Sequence, residues 1–175
     1  MPVHAHLPLI LNEDGKGKLS KRHGHASVAY YQKLGYLPEA VLNYLSNIVW
    51  NHPDGKEIYT LEEFIEKFDI THITSQAPRF DLKKLDWVNG QYIKLLSESD
   101  VLKRLLAFDS RIPNDEGKLK QIIPLVKERI HTLSEFWSLA SFFFERPKKF
   151  AQPLVDQPAS PAGGSVQLLQ SVLSL

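Results

Sequence analysis

Apolar residues recur at helical spacing through most of the chain after residue 27. Ser27 can cap a first helix that runs to Leu34 and ends at Gly35, since glycine accepts the left-handed backbone conformation. Pro38 suits the first turn of a second helix. The apolar residues of this second helix recur on one predicted face: Val41, Leu42, Leu45, Ile48 and Val49. The pattern predicts two helices joined by a short turn.

A third helix is predicted after a break at residues 51–55. Thr60 and Glu63 have the spacing of a capping box, and Tyr59 and Phe64 occupy the positions of a hydrophobic staple. The helix carries a clean apolar stripe, which is typical of a helix packed on a core. The stripe consists of Leu61, Phe64, Ile65 and Phe68.

Residues 80–96 separate into two faces of one predicted helix. The buried stripe is predicted to consist of Leu82, Leu85, Val88, Tyr92 and Leu96. A different face carries Lys83, Trp87, Gln91 and Lys94, and Lys84 lies beside it. A cationic face interrupted by an aromatic ring suits a ribose-phosphate backbone. The alternative is that Trp87 packs at the edge of the core and the lysines are solvated.

Two further helices and an aromatic segment are predicted in the second half of the chain. Their apolar sets are Val101, Leu102, Leu105 and Leu106, then Leu119, Ile122, Ile123, Val126 and Ile130. Pro124 must kink the second of these helices or mark its true beginning. Thr132 and Glu135 have capping-box spacing before an aromatic helix that we expect to be buried, with Phe136, Trp137, Leu139, Phe142, Phe143 and Phe144.

The N-terminal segment differs from this helical pattern. Leu7 to Leu11 is predicted to be a strand, and residues 12–15 form the turn of a short β-hairpin. A lysine-rich loop follows, in which four cations fall within seven residues: Lys16, Lys18, Lys21 and Arg22. Positive charge of this kind can stabilise a reacting phosphoryl group. The alternative is a solvated charged loop.

Charge and composition exclude several classes of function. A net charge of +1 means that any contact with nucleic acid must depend on a local patch. There are no cysteines, and the pairs His4-x-His6 and His23-x-His25 have no carboxylate at ligand spacing, so no metal site is predicted. No apolar run is long enough to span a bilayer, so we expect a cytoplasmic protein with no membrane partner.

Four segments together resemble class I glutamyl-tRNA synthetases. They are Leu7 to Asn12, Lys18 to Arg22, Gly35 to Leu45 and Phe80 to Ile93. Lys18-Leu19-Ser20-Lys21-Arg22 resembles the second nucleotide signature of that family. The resemblance extends over roughly residues 5–145, which is far more specific than a five-residue motif.

The resemblance implies adenylate chemistry, in which ATP activates glutamate before transfer to tRNA(Glu). Lys21 is then expected to be the chief lysine on the triphosphate, Lys18 and Arg22 to support it, and Ser20, next to Leu19, to position the loop. ATP would be a substrate with Mg²⁺, and no cofactor is expected to bind tightly. The family braces tRNA with the region that contains Arg79, Lys83, Lys84, Trp87 and Lys94.

The other nucleotide signature of the family, a His-x-Gly-His element, is expected far upstream. His23-Gly24-His25 has similar letters but not that spacing, so we assign it no catalytic role. The chain is therefore expected to be the C-terminal portion of an enzyme, inactive by itself and monomeric. The alternative function is a stand-alone, non-catalytic helical module that binds tRNA or a protein partner.

Periodicity and resemblance together predict a mostly α fold with four parts. Residues 1–26 would form the end of the catalytic domain, with the β-hairpin and the lysine loop. Residues 27–96 would form a helical stem-contact region, and residues 97–146 a partial anticodon-binding bundle. Residues 147–175 contain four prolines and Gly163-Gly164, which predict a linker followed by a C-terminal helix from Val166 to Leu175.

Overall fold

Seven α-helices lie within the part of the chain that the computed structural model describes, which is residue 4, residues 6–20 and residues 27–145. They are α1 (Val28–Lys33), α2 (Pro38–Val49), α3 (Leu61–Lys67), α4 (Leu82–Leu95), α5 (Glu98–Phe108), α6 (Glu116–Lys127) and α7 (Glu135–Ala140). Short 3-10 turns occupy Ile70–His72 and Ser141–Phe143. The prediction of a mostly α fold is confirmed, while the predicted C-terminal helix lies outside the described residues.

Local sequence explains where most of these helices begin and end. Asp81, Ser97 and Asp115 cap α4, α5 and α6, and each side chain accepts the backbone N–H of the residue three positions later. Pro38 occupies the first turn of α2. Gly35 has φ = 80° after α1, and a Cβ there would lie 2.8 Å from the backbone nitrogen of Ser134. Only glycine satisfies both conditions without strain.

The core forms where α2 packs on α4, and where α6 packs on both α5 and α7. The stripe predicted for α4 is confirmed, because Leu85 and Val88 are fully buried and the other three residues pack against the core. Each apolar residue predicted for α6 is also buried: Leu119, Ile122, Ile123, Val126 and Ile130. Pro124 lies inside α6 and does not start it.

The face predicted for α2 is wrong in part. Ala40 and Tyr44 are buried on α2, whereas Leu42 and Leu45 are 52% and 38% exposed. Apolar residues occupy most of the circumference of α2, so the contact with α4 decides which side is covered. The stripe predicted for α3 is wrong as well, since α3 has no buried residue and Ile65 is 68% exposed.

The two predicted capping boxes differ in the structure. Thr60 accepts the N–H of Glu63 at 3.2 Å, and the Tyr59 and Phe64 rings stack with centroids 6.2 Å apart, so the cap and the staple of α3 are confirmed. The second box is wrong. The Glu135 carboxylate accepts the N–H of His131 at 2.8 Å, so it caps the loop before α7 instead of pairing with Thr132.

The predicted N-terminal β-hairpin appears only as an isolated antiparallel bridge between Leu11 and Lys18. Leu11 also forms an isolated parallel bridge with Arg79, and no strand forms among the described residues. Leu7 and Leu9 are 59% and 64% exposed, so neither side chain packs on a core as it would in a stable strand. The predicted aromatic helix is only partly buried, because Phe136 in α7 is covered but Phe142 in the following 3-10 turn is 60% exposed.

Candidate functional site

The lysine loop follows a turn that hydrogen bonds hold in place. The Asn12 N–H donates to the Gly17 carbonyl at 2.8 Å, and the Asn12 side chain accepts the Gly17 N–H at 3.1 Å. Gly15 has φ = 71° and donates its N–H to the Asn12 carbonyl, which closes the turn. The turn thus fixes the direction of the backbone at Lys18.

The start of the predicted phosphate-binding motif lies on this turn. Lys18 is exposed, the Leu19 side chain packs against the core, and the Leu19 N–H donates to the Ile10 carbonyl at 2.8 Å. Ser20 is half-buried. Lys21 and Arg22 lie outside the described residues. The described half of the motif therefore combines a free ammonium side chain with an anchored backbone.

The backbone of Leu11 joins this turn to the segment that leads into α4. Its N–H donates to the Pro78 carbonyl at 2.8 Å, and its carbonyl accepts the Phe80 N–H at 2.9 Å. Lys18 and Arg79 consequently flank Leu11 on opposite sides. The lysine loop and the N-terminus of α4 are thus parts of one hydrogen-bonded unit.

Arg79 faces the turn. A Cβ built on Gly15 would lie 2.7 Å from Arg79 Nε and 2.9 Å from Arg79 Cζ. Any side chain at residue 15 would displace the guanidinium group, so glycine is required there for this contact as well as for its backbone conformation. Arg79 is exposed, and it adds positive charge next to the loop that carries Lys18.

Tyrosine hydroxyls anchor the first turns of α4. The Tyr44 hydroxyl accepts the N–H of Asp81 at 2.6 Å, and the Tyr36 hydroxyl donates to the Asp86 carboxylate. Burial raises the pKa of Tyr36, and the hydrogen bond to Asp86 raises it further. Burial likewise raises the pKa of Tyr44. The helical periodicity of the sequence contains no signal for these polar contacts.

The cations predicted on α4 have different surroundings. Lys83 is exposed and forms no ion pair with another described residue. Lys84 Nζ lies 2.5 Å from Glu57 Oε1 and 4.1 Å from the centre of the Trp87 ring. Lys94 Nζ lies 3.4 Å from Glu128 Oε2. Periodicity along α4 carries no signal for the Glu57 partner, which is remote in sequence.

Trp87 is 37% exposed and carries Lys84 over its ring face. This geometry allows a cation–π interaction and leaves part of the ring accessible. This exposure fits both a contact surface and the alternative in which Trp87 packs at the edge of the core. Lys83 and Trp87 are four residues apart on α4, which places an ammonium group and an aromatic ring on one helix face.

One group of described residues could present three ligand atoms to a metal ion: His52, Asp54 and Glu63. His52 Nε2 lies 3.3 Å from Glu63 Oε1. Both carboxylates already have cationic partners, since Lys56 pairs with Glu63 at 2.6 Å and Lys67 pairs with Asp54. A metal ion would have to displace both lysines.

Two families match adjoining parts of the chain. The catalytic domain of class I tRNA synthetases (E and Q) matches residues 1–87, and an anticodon-binding domain matches residues 91–175. The second match continues beyond residue 145, so the predicted end of the resemblance at about that residue is wrong. Within the described residues, no helix is long and apolar enough to cross a membrane.

Curated relatives share this pattern of similarity. The chain is 42% identical to the glutamate-tRNA ligase of Synechococcus sp. (strain JA-3-3Ab) over 91% of its own length and 34% of the relative. It is 44% identical to glutamate-tRNA ligase 1 of Pseudothermotoga lettingae, over 84% of its own length and 32% of that relative. The chain thus spans about a third of the length of these proteins.

Solved structures support the same relationship. A glutamate tRNA ligase from Elizabethkingia meningosepticum, in complex with its amino acid, aligns over 99% of this chain and 38% of that one, with 31% identity and a TM-score of 0.81. The glutamate-tRNA synthetase of Elizabethkingia anophelis aligns over 86% of this chain and 34% of that one, with 34% identity and a TM-score of 0.74. Similarity therefore covers both the sequence and the arrangement of the helices.

Proposed function

Because this chain belongs to the class I tRNA synthetases (E and Q), joined to their anticodon-binding domain, we propose that it forms part of a glutamate-tRNA ligase. In that enzyme it would supply the lysine loop for the ATP phosphates and contacts to the stem of tRNA(Glu). The observation that supports this most directly is the Leu11 backbone bridge, which joins the lysine loop to α4. The matches do not favour the alternative of a stand-alone helical module.

The proposed chemistry uses positive charge against a leaving group. When the glutamate carboxylate attacks the α-phosphorus of ATP, pyrophosphate departs with additional negative charge, and Mg²⁺ accompanies the nucleotide. Lys21 would stabilise that charge, with Lys18 and Arg22 in support and Leu19 and Ser20 holding the backbone. The anchored Leu19 backbone suits this role, because a fixed base limits the positions that the following lysine can reach.

The proposed tRNA surface lies on and just before α4. Lys83 offers an ammonium group without an acidic partner among the described residues, and Trp87 offers part of a ring face. Lys84 and Lys94 would have to exchange Glu57 and Glu128 for phosphate groups. Arg79 would act where the loop and α4 meet, because its guanidinium group lies against Gly15.

We propose the domain boundaries that the sequence predicts. Residues 1–26 would complete the catalytic domain, residues 27–96 would contact the stem, and residues 97–146 would begin the anticodon-binding bundle. Residues 147–175 would lead onward through a linker and a helix. The proposal includes a cytoplasmic location and a monomeric state.

Binding of tRNA to the 175-residue chain tests the stem surface. We expect Lys83→Ala to weaken binding of tRNA(Glu) and to reduce the slope of log affinity against log salt by about 1. Lys56→Ala is the matched control, because it removes the same charge from an exposed site outside α4. Equal effects of the two variants, or binding that does not weaken as salt rises, would contradict a phosphate-contacting surface on α4.

Lys21 is tested in the full-length ligase of which we propose this chain forms part. Lys21→Ala should lower the rate of glutamate-dependent ATP–pyrophosphate exchange by at least about 100-fold, which is the usual size of such an electrostatic loss. Lys16→Ala, in the same loop, should change it little. Exchange at the unaltered rate in the Lys21 variant would remove that residue from the proposed role.

A further inference from the structure

Gly90 lies in the interior of α4, although its own backbone does not require glycine. It is not among the glycines that adopt a positive φ, and glycine destabilises a helix interior relative to alanine. Gly90 is nevertheless buried, so another part of the chain lies where its side chain would project. A close contact is therefore the reason that the structure offers for glycine at this position.

The group in that contact is the imidazole ring of His131. A Cβ built on Gly90 would lie 2.8 Å from His131 Nδ1, which is too close for a real Cβ atom. The backbone of the same segment leaves enough room, because the Ile130 carbonyl oxygen and His131 Cα would lie 3.6 Å and 3.7 Å away, at ordinary van der Waals distances. Glycine at residue 90 thus makes room for the ring and not for the backbone.

The ring lies in the middle of the α4 face that carries the proposed tRNA contacts. Residues 83, 87, 90 and 94 follow one another at intervals of four, three and four positions, so they share one side of the helix. Lys83 and Trp87 precede Gly90 on this side, and Lys94 follows it. His131 is exposed and comes from the segment between α6 and α7. The surface on α4 therefore continues onto that segment.

The backbone of His131 is held in place while its ring is available. The His131 carbonyl accepts a hydrogen bond from the Asn89 amide, and its N–H donates to Glu135 Oε2 at 2.8 Å. The neighbouring residues Ile130 and Thr132 are both buried. No hydrogen bond or ion pair joins the ring to another residue in the described part of the chain. A ring on a fixed backbone loses little conformational freedom when it binds a ligand.

We propose that His131 is an additional tRNA-binding residue, whose ring N–H donates to a phosphate or ribose oxygen of the RNA backbone. Imidazole retains at least one ring N–H donor in both its neutral and its protonated form. Contacts of this kind position an RNA without reading its bases. Trp87 and Lys94 lie about one helical turn to either side of the ring, so one RNA strand can contact all three groups.

This inference rests on the proposed function and extends it. The catalytic-domain family matches residues 1–87, whereas His131 belongs to the part that the anticodon-binding family matches, residues 91–175. The tRNA surface would therefore cross from one family match to the other, with Gly90 of α4 making room for the ring that joins them.

Binding of tRNA(Glu) to the 175-residue chain at one fixed salt concentration tests the proposal. His131→Ala should weaken binding at least about threefold, the usual size of one lost hydrogen bond. His131→Arg should bind at least as tightly as the unaltered chain, because arginine supplies donors and a positive charge. The matched control is His72→Ala, which removes an exposed imidazole from the 3-10 turn and should leave the affinity unchanged. Unaltered affinity of His131→Ala, or equal losses in the two alanine variants, would overturn the proposal.

A double-mutant cycle with Gly90→Ala separates this contact from effects on folding. The added methyl group displaces the ring, so Gly90→Ala should also weaken binding at least about threefold. In the His131→Ala background there is no ring to displace, so the double variant should bind as His131→Ala alone does. Its melting temperature should not fall below that of His131→Ala, because alanine favours the helix. Losses of affinity that add independently would contradict the assigned contact.

Lys83→Ala distinguishes failure of this inference from failure of the proposed function. If Lys83→Ala weakens binding while the His131 and Gly90 variants bind normally, the α4 surface stands and the role of His131 is refuted. If the unaltered chain does not bind tRNA(Glu), the proposed surface and this inference are both refuted.

Discussion

Two buried asparagines show how much the surroundings of a single residue matter. Asn89 is fully buried on α4, where its side chain accepts the Leu37 N–H at 2.8 Å and donates to the His131 carbonyl. Asn43 is buried on α2 with an unpartnered amide. Asn89 thus joins the start of α2 to the loop before α7, whereas the Asn43 side chain has only the Tyr59 hydroxyl as a polar neighbour within the described residues, a contact that lowers the pKa of Tyr59 against the larger effect of burial.

The substitution Asn89→Leu should lower the free energy of unfolding by about 2–4 kcal/mol. It leaves two buried backbone groups, the N–H of Leu37 and the carbonyl of His131, without their partner. Urea denaturation followed by circular dichroism measures the change. Asn43→Leu is the control, and we expect its stability to equal or exceed that of the unaltered chain. Similar losses in both variants would show that side-chain shape, and not hydrogen bonding, determines stability at these positions.

Some individual residues could be predicted from sequence and others could not. Thr60 and Gly35 were predictable because a cap and a helix-ending glycine depend on neighbours within a few positions. The surroundings of Lys84 were not, because its partner Glu57 lies 27 residues away in sequence. The contact between Arg79 and Gly15 could not be predicted either, because these residues are also far apart in sequence. The sequence therefore identified candidate cations on α4 but not which of them have acidic partners.

At the scale of elements, the existence of helices was more predictable than their orientation. In α4 and α6 the predicted apolar residues are buried or pack against the core. In α2, which is apolar on several sides, periodicity alone could not choose the face. The short helix α3 has no buried residue, and Phe64 instead joins an aromatic cluster around Trp50, with ring centroids 5.2 Å apart. In both α2 and α3, contacts with other elements determine which side chains are covered.

The helix α6 carries a proline in its interior, which leads to a prediction about that element. Pro124 cannot donate to the carbonyl four residues earlier, and it is exposed. Pro124→Ala restores the donor and favours the helix, while the unfolded chain gains conformational freedom. We expect a net increase of about 1–2 kcal/mol in the free energy of unfolding, measured in urea.

The control for Pro124→Ala is Leu125→Ala in the same helix. Leu125 is 60% exposed, so the change should stay within about 0.5 kcal/mol. A loss of stability in Pro124→Ala would mean that the backbone of α6 is adapted to proline at this position. In that case the missing hydrogen bond would not be the dominant effect.

At the scale of the whole molecule, tyrosines connect the first four helices. Tyr31, Tyr36, Tyr44 and Tyr59 are buried, and Tyr92 packs against the core while its hydroxyl donates to the Tyr59 carbonyl at 2.5 Å. Burial raises the pKa of all five hydroxyls, to about 12 for Tyr31 and Tyr92. The sequence predicted helices here but gave no indication that their contacts would depend on neutral phenols.

These raised pKa values predict unfolding in alkali. A phenol whose pKa is higher in the folded state contributes stability that is fully present below its ordinary pKa of about 10 and is lost as pH rises toward the folded value. Each of Tyr31, Tyr36, Tyr44 and Tyr92 costs about 1.4 kcal/mol per pH unit above 10, so these four groups cost up to roughly 5–6 kcal/mol at pH 11. That loss is comparable with the whole stability of a small domain.

We therefore expect the far-UV circular dichroism signal and the tyrosinate absorbance to change together between pH 10 and 12, and Tyr31→Phe to shift the transition to higher pH. Tyrosinate absorbance that rises near pH 10 while the helical signal persists would show that the phenols ionise within the folded protein, which is incompatible with their burial.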